Sequence, residues 1–320
     1  MFLLPKILVT AIIVYLLFYH SPLSSSAQER LDLYSESVLL MDGKTGEIIY
    51  EKQGEKQMYP ASITKIVTGI LALEMGKPEE QVIISEETTT IEGTRVYLLE
   101  DEVVSLERLV QGLMISSGND AGHAIAEHLA GSEEDFSEKM NEFIRKRLYL
   151  QNTNFTNPHG LFNENHYTTA YDMAEITRYA LSNEDFREIV ATKEMEWNGK
   201  GWETTIFNHN RMLWNYDGAF GVKNGFVQRS GFTLVTAAER NNRELIVVVL
   251  NAGTADQSYQ DTTRLLDYGF ENYAQEEMKE KESFLNTNPS PYYPNELIEP
   301  LEKFRILKLE VIETREERME

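Results

Sequence analysis

Two short apolar runs, Ser37-Val38-Leu39-Leu40-Met41 and Glu47-Ile48-Ile49-Tyr50, flank the turn-forming Asp42-Gly43-Lys44-Thr45-Gly46 and predict a pair of strands. A helix is expected to open at Ser62, where Pro60 pre-sets the backbone and the apolar run from Ile66 to Leu73 continues it. Apolar positions recur at helical spacing over residues 106–115, 120–130 and 133–148, so the middle of the chain reads as a helical block. From Phe220 the pattern returns to strands, at residues 221–223, 232–238 and 244–250, with Asn241-Asn242 as the turn between the last two. A helix over residues 259–273 follows. Strand and helix at both ends of the chain around an all-helical insertion make a mixed α/β unit.

With 320 residues and 42% hydrophobic content, the chain can bury a sizeable core. Residues 1–27 read as an export segment: Lys6 precedes the apolar stretch from Ile7 to Tyr19, and Ser25-Ser26-Ala27 ends in the small-x-small pattern that signal peptidase cuts. Cleavage would start the mature chain near Gln28, whereas retention would leave an anchor with an apolar run short for a comfortable span. Either outcome places the remainder outside the cytoplasm.

Cysteine is absent, which removes disulfides, a thiol nucleophile and Cys metal sites. A net charge of −22 argues against nucleic acid and anionic membrane surfaces as partners. The surplus of carboxylates reads as a well-solvated surface. His123 and His128 stand five apart, off the spacing of a helical metal site, and no His-Glu-x-x-His occurs. Neither a metal nor a cofactor is expected.

Candidate chemistry starts at Ser62-Ile63-Thr64-Lys65, which sets a hydroxyl and an amine one helical turn apart on one face. That is a nucleophile with a base beside it, near a helix start whose backbone N–H groups can meet an oxyanion. Such a pair is common by chance. Here it is the only Ser-x-x-Lys of the chain, and Ser117-Gly118-Asn119 and Lys223-Asn224-Gly225 follow it in order.

With these three elements, Pro60-Ala61-Ser62-Ile63-Thr64-Lys65, Ser117-Gly118-Asn119-Asp120-Ala121, Asn152-Thr153-Asn154-Phe155 and Asn157-Pro158-His159-Gly160-Leu161, the chain resembles the serine D-alanyl-D-alanine carboxypeptidases. These are the low-molecular-weight penicillin-binding proteins, whose signatures are Ser-x-x-Lys, Ser-x-Asn and Lys-Thr-Gly. The resemblance covers roughly residues 31 to 275. It implies a β-lactamase/DD-peptidase-like fold of the α/β (α+β) class, an antiparallel sheet flanked by helices with an all-helical subdomain. The expected division is a signal peptide at 1–27, a catalytic domain at 28–275, and a linker with a short tail at 276–320. That tail carries a charge run at 276–282, a Pro-rich stretch at 288–294 and one possible strand at 304–312. It is too short for the β-rich second domain common in the family and ends in no basic amphipathic helix, so membrane contact is expected only if the N-terminal segment is retained.

The resemblance also implies roles. Ser62 Oγ would attack the carbonyl of the penultimate D-alanine of a peptidoglycan stem peptide, and β-lactams would acylate the same atom. Lys65 would be the base, which requires an amine whose pKa burial and the neighbouring Lys223 depress. Ser117 would relay the proton, and Asn119 would hold Lys65 and the substrate amide. Ser116 is the rival hydroxyl, but only Ser117 stands two before Asn119. Lys223 would draw the terminal carboxylate and orient Ser117, while Gly225 would let a peptide approach the strand edge. Backbone N–H groups of Ser62 and Phe226 would form the oxyanion hole.

Two positions depart from the family: Asn224 stands where it has Thr, and Val227 where it usually has another Thr. An Asn amide can still donate to a carboxylate, from a longer side chain, so the change is either neutral or alters rate and preference. His159 is expected to be a structural loop residue at the cleft border. Two alternatives remain. One is a serine β-lactamase, against which stands the absence of Glu-x-x-Leu-Asn between Asn119 and Lys223. The other is a penicillin-binding wall protein weakened by Lys-Asn-Gly.

Overall fold

The computed structural model describes the backbone of residues 31–287 and the side chains of residues 31–272. The segment read as an export signal at 1–27, the Pro-rich stretch and the strand expected at 304–312 lie outside the described residues. The chain divides into two units, one to Phe270 and one from Glu271.

In chain order the elements are β1 (Ser37–Asp42), β2 (Ile48–Lys52), a 3-10 turn (Ala61–Thr64), α1 (Lys65–Met75), β3 (Gln81–Ile83), α2 (Glu86–Thr90), β4 (Val103–Ser105), α3 (Leu106–Ile115), α4 (Asn119–Ala130) and α5 (Glu133–Arg147). There follow α6 (Ala170–Ala180), α7 (Glu184–Ala191), β5 (Glu194–Asn198), β6 (Glu203–Phe207), α8 (Met212–Asn215), β7 (Ala219–Val227), β8 (Gly231–Arg240), β9 (Arg243–Ala252) and α9 (Ala255–Thr287). Among the described residues no helix is long and apolar enough to cross a membrane.

Five antiparallel strands in the order β2-β1-β9-β8-β7 form the main sheet, so the first strand pairs with the last and Val38 lies opposite Val249. The inner strands β1, β9 and β8 read as nearly unbroken apolar runs because both faces are covered. Leu39, Met41, Val235, Ala237, Ile246 and Val248 join one core with Ile66, Ile70, Leu113 and Met173 of the helices. The alternate residues Leu40 and Leu245 face α9, where a Cβ at Gly269 would sit 2.7 Å from Leu245 Cδ1. Asn241 and Asn242, at φ 50° and 64°, take the left-handed conformations of a tight hairpin. β7 is an edge strand.

The structure has the expected fold class and departs from the expected elements in three places. The middle block is not all-helical, because β3–β4 and β5–β6 form small two-stranded sheets. Trp197 of β5 packs on α3, where a Cβ at Gly112 would meet its ring at 2.9 Å. The helix expected from Ser62 begins at Lys65 instead. Ala61 is held left-handed at φ 52°, which a regular helix start cannot accommodate, and Thr64 Oγ1 donates to Ala61 O at 2.8 Å. Finally, α9 runs on through the charge run to Thr287. Glu and Lys favour helix, and no Gly or Pro interrupts the run before Pro289.

Candidate active site

Four segments that are distant in sequence converge on the 3-10 turn carrying Ser62. From one side comes β7. A Cβ at Gly225 would lie 2.7 Å from Ser62 N and 2.7 Å from Thr233 Oγ1, so only glycine lets the strand edge approach this closely. Thr233 of β8 donates to Pro60 O at 2.9 Å and ties the turn to the sheet.

From the opposite side comes the Asn157-Pro158-His159-Gly160 loop. Gly160, at φ 88°, presses against the turn so tightly that a Cβ would fall 1.9 Å from Ala61 O. Asn157 Oδ1 accepts from Gly160 N at 2.7 Å, and Pro158 O accepts from Thr68 Oγ1 at 2.5 Å. His166 braces the floor of the turn: Thr156 N donates to its Nδ1 at 3.0 Å, which leaves Nε2–H to donate to Thr64 Oγ1 at 2.8 Å. Burial holds that imidazole down to about 3, so it stays neutral.

Lys65 opens α1 and is fully buried. Its Nζ contacts Ser62 Oγ at 3.0 Å, Asn119 Oδ1 at 2.7 Å and His159 O at 2.6 Å. Burial first, and the nearby charge of Lys223 second, hold this amine well below the usual lysine range, against an opposing pull from Asp120. The two carbonyl oxygens can only accept. A neutral amine therefore gives them its two hydrogens, and its lone pair is left for Ser62.

The Ser117-Gly118-Asn119 segment links α3 to α4. Ser117 is left-handed at φ 62°, a conformation over-determined by its neighbours: Gly118 N donates to Gly112 O at 3.1 Å and Asn119 N to Thr94 O at 2.7 Å. Asn119 Nδ2 donates to Glu92 O at 2.7 Å, which orients the amide so that Oδ1 meets Lys65. Asp120 accepts from Val96 N, Ala121 N and Leu98 N at 2.9–3.2 Å and so fixes the loop beneath.

Lys223 of β7 is 1% exposed, and burial brings its amine down to about 7. Contrary to expectation it does not orient Ser117. Among the described residues, Lys223 Nζ donates to Asn224 O at 3.1 Å and to Asn224 Oδ1 at 3.3 Å, and the Ser117 hydroxyl makes no hydrogen bond. The first of these contacts is to the backbone, and the second is one that the Asn side chain adds. Phe226, next along the edge, is 53% exposed and stacks on Phe232 with ring centroids 4.4 Å apart.

Several residues of the site carry no motif. Glu133 Oε1 is shared by His123 Nδ1 at 2.7 Å and His159 Nε2 at 3.0 Å, and these hydrogen bonds outweigh its burial and lower its carboxyl to about 2. It thereby fixes the loop whose carbonyl meets Lys65. His209, exposed between the buried Asn208 and Asn210, has its backbone N–H on Ile115 O at 3.3 Å. Desolvation and the fields of Lys223 and Lys65 hold its imidazole below the ordinary histidine range, although the residue keeps an exposed face. Among the described residues no cluster that could hold a metal ion is formed.

Comparison with known proteins places the chain in a family. The chain is 34% identical over 282 residues to D-alanyl-D-alanine carboxypeptidase DacF of Bacillus subtilis, covering 84% of this chain and 72% of that one. To DacD of Escherichia coli it is 32% identical, over 76% of this chain and 64% of the relative. Among solved structures, D-alanyl-D-alanine carboxypeptidase DacD from Francisella tularensis superposes with a TM-score of 0.72 at 28% identity, over 76% of this chain and 71% of that one. The Streptomyces K15 DD-transpeptidase does so at 0.71 and 28% identity, over 75% of this chain and 98% of that one. The sequence profile of the D-alanyl-D-alanine carboxypeptidases, peptidase family S11, matches residues 24–254, and the chain belongs to that family.

Proposed function

We propose that the protein removes the terminal D-alanine from peptidoglycan stem pentapeptides outside the cytoplasm, through an acyl-enzyme on Ser62. The observation that carries this reading is the buried Lys65 amine, with two hydrogens committed to Asn119 and His159 and its remaining valence on Ser62 Oγ.

Lys65 takes the proton as Ser62 Oγ attacks the carbonyl of the penultimate D-alanine. The developing oxyanion lies at the Ser62 turn, where the backbone N–H groups of Ser62 and Phe226 supply donors beside Gly225. Ser117, whose hydroxyl has no other partner among the described residues, passes the proton to the leaving amine. Collapse expels D-alanine, and water attacks the ester with Lys65 again as base. Lys223 attracts the terminal carboxylate. Because Asn224 Oδ1 faces Lys223, its Nδ2 is the group left to donate to that carboxylate. β-Lactams present a carbonyl and a carboxylate in the same relation and acylate Ser62.

The test is D-alanine release from a pentapeptide muropeptide by the purified protein beside a Ser62→Ala control. Release that vanishes in the control is the expected result. A folded protein that penicillin labels but that releases no D-alanine would overturn the carboxypeptidase reading.

A further inference from the structure

A chain of ionisable side chains leads from Lys65 to the partly exposed Glu127, and the acyl-transfer steps do not use it. His123 stands one turn past Asn119 on α4, Glu133 opens α5, and His159 belongs to the loop whose carbonyl meets Lys65. Leu161 N donates to His159 Nδ1 at 3.3 Å, so Nε2 carries the hydrogen and donates to Glu133 Oε1 at 3.0 Å. Burial holds this ring below the ordinary histidine range, and it stays neutral. His123 Nδ1 meets the same Glu133 oxygen at 2.7 Å, and its Nε2 lies 3.5 Å from Glu127 Oε2. That second carboxylate is fixed from α2, where Ser85 Oγ donates to it at 2.6 Å and Thr88 Oγ1 at 2.9 Å. His123 is thus faced by a carboxylate of its own helix and by one of α5. Burial opposes its charge, but the hydrogen bond to Glu133 and the fields of both carboxylates outweigh it and hold the imidazole above its ordinary value.

The pairing matters because Lys65 acts as a base only while its amine is neutral. An uncompensated carboxylate nearby favours the ammonium, and Asp120 already pulls that way. Glu133 is ionised, with its carboxyl at about 2, and it reaches Lys65 through the His159 ring and that residue's backbone carbonyl. A neutral His159 cannot cancel this charge, whereas an imidazolium at His123 can. We propose that His123 is a positioning residue of the acyl-transfer site, whose proton neutralises Glu133 and so leaves the Lys65 amine free to act as base. The proposal rests on the reading of Ser62 and Lys65 given above. One oxygen of Glu133 then serves two ends, since it anchors the loop that contacts Lys65 and takes the countercharge that hides it from Lys65.

The test is the second-order rate of Ser62 acylation by benzylpenicillin as a function of pH, in wild type, His123→Gln, Glu133→Gln and the double variant. In wild type the rate rises along an acid limb as Lys65 loses its proton. His123→Gln leaves Glu133 uncompensated, so the limb should move to higher pH by about half a unit, which slows acylation about threefold on the limb. The difference should close at alkaline pH, where His123 is neutral in wild type as well. Glu133→Gln keeps an accepting oxygen for both rings and removes the charge, so its limb should lie at or below the wild-type position. The double variant should return the limb to that of Glu133→Gln. A merely structural loss would lower the rate at every pH and leave the limb in place. Urea midpoints verify folding, and Glu133→Gln carries the test by itself should His123→Gln fold poorly. An unshifted limb in folded His123→Gln, a double variant that keeps the shift, or an upward shift in Glu133→Gln would overturn the role of His123. A wild type that benzylpenicillin does not acylate would instead overturn the reading beneath it, and this role with it.

Discussion

Lys223→Met should make the protein more stable while removing its affinity for a terminal carboxylate. The amine is buried, and burial lowers it from 10.5 to about 7. Below about pH 7 the ammonium is charged in both the folded and the unfolded chain, and only the folded chain has stripped it of water. Between about 7 and 10.5 the unfolded chain binds a proton that the folded chain does not, so stability rises with pH across this window, by about 1.4 kcal/mol per pH unit. Carried over the whole window this is about 5 kcal/mol, an upper figure because water and relaxation moderate it. Replacing buried charges by apolar groups of similar shape typically stabilises by about 1–4 kcal/mol. Methionine keeps the aliphatic stem of Lys223, so a gain of about 2 kcal/mol is expected at a pH of about 6. That gain should vanish by a pH of about 9 as the wild-type penalty is relieved. Urea unfolding of both proteins across this range measures it, and the difference between them cancels most other titrations. Removing Lys223 also raises the Lys65 amine, which acts in the same direction. Parallel profiles, or a variant less stable at low pH, would refute the reasoning and mean that Asn224 compensates the buried ammonium.

Gly225→Ala should slow penicillin acylation of Ser62 by about 100-fold, because its Cβ would displace Ser62 N by the order of an ångström, with a urea midpoint close to wild type. Gly160→Ala should cost about 3 kcal/mol or more in urea unfolding, from a left-handed backbone and a Cβ driven into Ala61 O. The Glu133 carboxyl, held at about 2, stabilises the fold above its ordinary value of 4.5, and this stability is lost as pH falls through about 2. Glu133→Gln should therefore be less stable at neutral pH, by up to about 3 kcal/mol, and the deficit should shrink in acid-unfolding measurements as pH falls toward about 2. Asn224→Leu, which keeps the bulk and removes the amide donor, should raise KM for D-alanyl-D-alanine peptides by about tenfold while kcat changes less, as steady-state kinetics will read.

The strands β8 and β9 were legible because burial on both faces writes them as unbroken apolar runs, and Asn241-Asn242 marks their turn. α6 and α7 carry less apolar contrast. Their signal lay in Thr169 and Asn183, which cap them by accepting from Asp172 N and Phe186 N. Hairpin β5–β6 has a faint alternation around Trp197 that the flanking helices overshadow. In the site, Ser62, Lys65 and Asn119 are legible as motifs. The hydrogen bond from Lys223 to Asn224 is not, since it depends on how one side chain folds back over its neighbour. Nor are Glu133, Asp120 and Gly160, because their contacts join segments up to 99 residues apart in sequence and no local pattern records them.

The free edge of β7 has a consequence for how the protein behaves in company. An edge strand that accepts one extended peptide offers the same row of backbone groups to any other, including a strand of a second, half-folded copy. Pairing of that kind is the first step of aggregation, and most proteins suppress it by closing or covering their edges. The proposed binding of a peptide along β7 needs this edge open. The charge of −22, spread over every copy, supplies a repulsion that acts before two edges can meet. Colloidal stability should therefore fall with rising salt, which screens that repulsion and leaves the edge itself unchanged.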